Sequence, residues 1–200
     1  MKFSRCTSLV VLAAALSVYA FPAQRPNAPK LTNELTLAGL RPGRDSVANA
    51  FKHYKQKYLV SKTSADSKEW RDTCTGRSLA LAVDPQSVIQ EITVSLLVPR
   101  DGNCDNRRFE FLNLDDWVTG KGLRLGDSRN RVVELYGEPN SSEPVVRDDA
   151  DFEVLRFDFA SVGPDVPQAM RVYCQLESGR VVEITLSSTS RAETKRAQGE

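Results

Sequence analysis

The side chains with reactive chemistry are few, and His53, the single histidine of the 200 residues, is the first of them. With a serine nucleophile and an orienting carboxylate it would serve a small hydrolase. It falls, however, inside a lysine-rich helical stretch two residues after Phe51, where an exposed helix-face histidine is the simpler reading. Asp101, Asn103 and Asp105 match the first three ligand positions of a helix-loop-helix calcium site. Asn106 then stands where that loop needs glycine and Leu112 where it needs a bidentate glutamate, so an ordinary loop is expected. Asp148, Asp149 and Asp151 read as a solvated acidic turn, and Asn140-Ser141-Ser142 is a glycosylation sequon that matters only in a cell with that machinery. No phosphate loop, metal-ligand spacing or nucleophile elbow occurs, so no cofactor, metal or catalytic residue is expected.

Four cysteines are present, Cys6 in the first residues and Cys74, Cys104 and Cys174 beyond them. Cys74 and Cys104 each sit beside polar turn residues, and their pairing is expected to contribute about 3–4 kcal/mol on the chain-entropy account. Cys174 alternates in phase with Val172 and Leu176 and reads as a buried thiol rather than a nucleophile.

Residues 1–20 combine Lys2 and Arg5 with an apolar run from Leu9 to Val18 and a small-residue exit at Ala20, the pattern of a cleaved secretory signal peptide. The run is too short for a membrane span. Cys6 precedes the run, so it is not a lipoprotein cysteine. A secreted or periplasmic, monomeric chain without a stable membrane anchor is expected. Removing Lys2 and Arg5 leaves 25 basic residues against 26 acidic ones, a net charge near −1 that offers no field for nucleic acid.

The elements follow from periodicity. Residues 21–33, with Pro22, Pro26 and Pro29, read as a tether. From Asp45 to Tyr58, Val47, Ala50, Phe51, Tyr54 and Tyr58 recur at helical spacing, with Asp45 or Ser46 as cap. Trp70 to Cys74, Arg77 to Val83 and Val88 to Leu97 read as strands, the last two joined at Asp84-Pro85-Gln86-Ser87. A second helix lies within Gly122 to Asn140, capped by Asp127 or Ser128 and stopped by Gly137 and Pro139. Strands at Glu153 to Ala160, Met170 to Leu176 and Val181 to Ser188 follow. Gly39-Leu40-Arg41 and Gly43 match Gly122-Leu123-Arg124 and Gly126, and Glu91-Ile92-Thr93 match Glu183-Ile184-Thr185. The sequence therefore predicts an α+β protein of two tandem two-layer domains, 34–108 and 109–188. Each is a short helix or helix pair on a three- to four-stranded antiparallel sheet, and a frayed tail covers 189–200.

The run Leu123-Arg124-Leu125-Gly126-Asp127-Ser128, with Val132-Val133 and Leu135-Tyr136-Gly137-Glu138-Pro139-Asn140 after it, resembles the helix-then-sheet unit of the SmpA/OmlA outer-membrane-assembly lipoproteins. Two tandem copies with a disulfide are similar to the beta-lactamase inhibitory protein architecture, and the resemblance implies an exported bacterial protein-binding module. The chain departs from it in lacking a lipid-attachment cysteine and in having Tyr58-Leu59-Val60 where the first copy would stop at Gly-x-Pro. Function is then expected on an open sheet face that meets an unknown protein partner, carrying Arg156, Asp158, Arg171, Tyr173, Glu183 and Thr185. If Ala82 corresponds to Cys174 on the helix side, Leu79 and Leu81 join that face. The rival readings are a secreted hydrolase and a binder of a small apolar ligand between the repeats.

Overall fold

The computed structural model describes residues 33–54, 66–72, 74–96, 117–160 and 166–189. The expected leader, Cys104, the calcium-like loop and most of the expected tether and tail lie outside them. The elements are α1 (Val47–His53), β1 (Ser67–Asp72), β2 (Arg77–Val83), β3 (Ile89–Ser95), α2 (Arg129–Tyr136), β4 (Ser141–Arg147), β5 (Ala150–Phe159), β6 (Gln168–Gln175) and β7 (Arg180–Ser188).

The seven strands form one antiparallel sheet in the order β1-β2-β3-β7-β6-β5-β4. This corrects the expectation of two tandem helix-on-sheet domains. The last strand of each half pairs with its counterpart, placing Ile92 opposite Leu186, Thr93 opposite Thr185 and Val94 opposite Ile184. Two separate sheets would each leave a β3-like edge with unpaired amides and carbonyls, and this pairing removes both edges at once.

The pairing also joins two cores. Trp70, Leu79, Val94, Ile184, Val172 and Leu155 are successive cross-strand neighbours over six strands, and Leu81, Ile92, Leu186, Met170 and Phe157 form the adjacent row. Val47, Ala50 and Tyr54 from the α1 side and Val132 and Tyr136 from α2 belong to the same buried cluster. Leu79 and Leu81, at 0% and 1% exposure, are thus core residues and not part of a docking surface. The expected phase of β2 fails by one residue. Val83 opposes Ile89 beyond a register shift, just as Cys174 opposes Val181 beyond another, so Val83 rather than Ala82 is the counterpart of Cys174. A one-residue slip exchanges the two faces of a strand.

Helices of seven and eight residues are too short to be stable alone. Each is fastened to a hairpin by the same three backbone bonds. In the first half Gly43 N–H donates to Ile89 O (2.6 Å), Ile89 N–H to Asp45 O (2.7 Å) and Val47 N–H to Ser87 O (3.0 Å). In the second, Gly126 N–H donates to Val181 O (2.8 Å), Val181 N–H to Asp127 O (2.8 Å) and Arg129 N–H to Gly179 O (3.0 Å). The turn that presents these amides needs left-handed backbone, φ 77° at Gly43 and 89° at Gly126. Ser128 caps α2 by accepting from Arg131 N–H, and Gly137 ends it. The first helix is shorter than expected, because Tyr54 turns extended and sends its hydroxyl to Ala38 O (2.9 Å).

Two strands also differ from expectation. β1 begins at Ser67 and stops at Asp72, whose carboxylate accepts from the N–H groups of Cys74 (3.0 Å) and Thr75 (3.2 Å) and so turns the chain. β4 was not expected at all: it is an edge strand with no buried residue and carries Pro144, which lacks the amide needed in a sheet interior. Asp148 and Asp149, with φ 51° and 60°, make the two-residue turn from β4 to β5.

On the helix side the segments 33–40 and 117–124 clasp one another through Ala38 N–H to Val118 O (3.0 Å) and Gly120 N–H to Thr36 O (3.0 Å). Glu34 is buried against this clasp and accepts from Lys121 N–H (3.2 Å), while its Oε2 meets no hydrogen-bond partner among the described residues. A Cβ on Gly120 would lie 2.7 Å from Glu34 Oε1 and 2.9 Å from Thr36 Oγ1, so a larger residue there would have to displace the buried Glu34 carboxylate. Burial raises the Glu34 carboxyl above its usual range, against the opposing pull of Tyr136 and Lys121. A carboxyl raised on folding stabilises the native state below its unfolded value, near 4.5, and that contribution is lost as pH rises through the native value. Glu34→Gln should therefore be more stable than the parent at pH 7, with the gap in urea midpoint closing by pH 4. A gap independent of pH would show that Glu34 is not the titrating group. Leu81→Asp buries an uncompensated charge and should abolish cooperative unfolding, as read by circular dichroism.

Candidate functional site: the helix-free sheet face

With both helices on one side, the opposite face of the sheet is the surface on which the remaining polar chemistry gathers. Strand alternation brings Arg156, Arg171, Thr185 and Thr93 into one cross-strand row, and Val154, Tyr173, Glu183 and Ser95 into the next. Asp158 stands opposite Ala169 in a third row. Six of the eight expected partner-binding residues thus share this face, and only Leu79 and Leu81 are on the other.

The charges on the face are paired with each other. Arg171 Nη2 meets Glu91 Oε2 at 3.1 Å and Arg147 Nη2 meets Glu183 Oε2 at 3.0 Å, while Arg156 bonds Glu143. Arg147, which sequence reading missed, also lies over two rings, 5.6 Å from the centre of Phe152 and 5.0 Å from that of Tyr173. It comes from the end of β4, the strand whose polarity hid it. The cation over two rings and the ion pair together fix a side chain that would otherwise sample many rotamers.

The face is not uniformly open. Thr185, expected as a contact residue, is 2% exposed and shares a 3.0 Å hydroxyl contact with Thr93. Ser78, Ser95 and Ser187 on the same face are buried as well, although neither helix lies over them. Accessible chemistry is concentrated on β4, β5 and β6, where Glu143 and Asp158 are exposed and Arg147, Arg156, Arg171 and Tyr173 are partly so.

The other candidates fall elsewhere. His53 is exposed at the end of α1, with its ring 6.2 Å from that of Tyr54. Among the described residues no three His, Cys, Asp or Glu side chains converge as metal ligands. Between the repeats, the described residues of the two halves meet as the hydrogen-bonded strands β3 and β7. Cys74 is disulfide-bonded, and its expected partner Cys104 lies outside the described residues.

Cys174 is buried on the helix side opposite Glu153, which holds Arg129 through bonds of 2.6 and 2.9 Å and accepts from Ser142 Oγ (2.7 Å). Burial, with Glu153 nearby, pushes the Cys174 thiol up to about 11. The reactive thiolate is then scarce at neutral pH. Iodoacetamide at pH 8 should leave Cys174 unmodified in the native chain and modify it fully in urea, as read by peptide mass. Rapid native labelling would contradict its placement.

No protein-family model matches the chain, and no curated protein matches it. Among solved structures, it is similar to a cysteine-rich secretory protein from Staphylococcus aureus, at 8% identity and a TM-score of 0.46, over 81% of this chain and 49% of that one. The chain thus spans about half the length of that protein. It is also similar to a DUF4309 family protein from Bacillus subtilis, at 10% identity and a TM-score of 0.41, over 80% of this chain and 87% of the other.

Proposed function

We propose that this protein is a non-enzymatic, exported interaction module that engages a protein partner through the β4–β6 part of its helix-free sheet face. The observation that carries this reading is the Arg147 cluster, a partly exposed guanidinium stacked on Phe152 and Tyr173 and paired with Glu183. Arginine and tyrosine are enriched where interfaces concentrate their energy. Groups already ordered in the free protein lose little entropy on binding, so the fixed cluster favours association more than a mobile one would. Arg156 and Arg171 extend the cationic side of the patch, and Glu143 and Asp158 its acidic rim. Export rests on the leader pattern of residues 1–20, and the expected Cys74–Cys104 pairing suits an oxidising compartment.

The test is capture of partners from exported material with the full chain as bait. Arg147→Ala and Tyr173→Ala should each weaken the captured partner by tenfold or more, equivalent to about 1.4 kcal/mol. Arg131→Ala, on the exposed side of α2, should leave capture unchanged. Retention of every partner by both face variants, with folding intact, would sink the proposal.

A further inference from the structure

Asn140-Ser141-Ser142 is the single Asn-x-Ser/Thr sequence of the chain, and Ser141 is not proline. We propose that Asn140 is an acceptor for an N-linked glycan when the chain passes through a secretory route that carries an oligosaccharyltransferase. The reaction attaches the sugar to Nδ2. The Nδ2–C1 bond forms and the C1–O bond of a lipid-linked oligosaccharide pyrophosphate breaks. The pyrophosphate leaves with the bonding pair and Nδ2 loses one proton.

Transfer precedes folding, so the fold has to accommodate a large polar group without displacing packed side chains. Asn140 is exposed and stands at the entry to β4, the terminal strand of the sheet. Its backbone N–H donates to Arg156 O (2.8 Å) and its Oδ1 accepts from Asp158 N–H (2.7 Å). With Oδ1 turned to β5, the other arm of the amide, Nδ2, is left pointing away from that bond, and among the described residues it donates to nothing. Ser141 and Ser142 beside it are exposed, so no packed side chain has to move. A glycan there would shield the outer edge of β4, which no described strand pairs and where open backbone groups invite association with another chain. Pro144, two residues on from Ser142, blunts the same edge from within the strand.

This inference rests on the export reading, and one experiment separates the two. The full chain with its own leader is expressed in a yeast secretory host, and the medium is analysed by intact mass before and after peptide-N-glycosidase. A single glycan is expected, removed by the enzyme and absent from both Asn140→Gln and Ser142→Ala. Secreted protein of bare polypeptide mass, or a glycan that survives Asn140→Gln, would overturn the inference and leave export standing. A chain retained in the cell would contradict export instead. The same mass measurement on a version carrying the host's own leader then decides the glycan.

Discussion

The pairing of β3 with β7 is the interaction on which the rest of the structure depends. Five residue pairs, from Glu91 opposite Ser187 to Ser95 opposite Glu183, turn two small sheets into one. Small domains bury a smaller share of their surface, and a helix of seven or eight residues contributes a single stripe. Across the seam Ile92 meets Leu186 and Val94 meets Ile184, so the two cores become one cluster under both helices. The clasp of residues 33–40 with 117–124 closes the same junction on the helix side, with Leu37 bridged to Thr119.

A sheet covered on one side commits that side to packing. Trp70, Leu79, Phe157 and Tyr136 are wholly enclosed there, and Cys174 and the Glu153–Arg129 pair belong to the structure beneath the second helix. The paired charges of the strands gather on the other face. There the ion pairs and the Arg147 stack give a fixed arrangement of charge instead of loose side chains, and the small hydroxyl residues of β2, β3 and β7 are withdrawn from solvent. The accessible patch is smaller than a whole sheet face and is weighted toward β4–β6.

Much of the local structure was legible in the sequence because its causes are local. The alternation of Leu155, Phe157 and Phe159, the Asp84–Ser87 turn, the Ser128 cap and the Gly137 stop all appear where the residue pattern puts them. The phase of β2 was illegible because Ala80 and Ala82 are as apolar as their neighbours, and a register shift after Ala82 moves the alignment by one. β4 was illegible because an edge strand needs no buried side, so Ser141–Arg147 shows none of the alternation that marks a half-buried strand. Arg147 was lost with it. The joining of the halves was the largest miss, since nothing in the alternation of β3 or β7 tells whether the strand beside it comes from its own half.

Amide hydrogen exchange at the seam tests the central claim most directly. If β3 and β7 are interior strands of one sheet, the hydrogen-bonded amides among Glu91–Ser95 and Glu183–Ser187 exchange only through global unfolding. They should then show the same free energy as the hydrogen-bonded amides of β2 and β6, and the same dependence on denaturant. Exchange of the seam amides through a separate opening of lower free energy, with β2 and β6 still protected, would mean two independent domains and contradict the account.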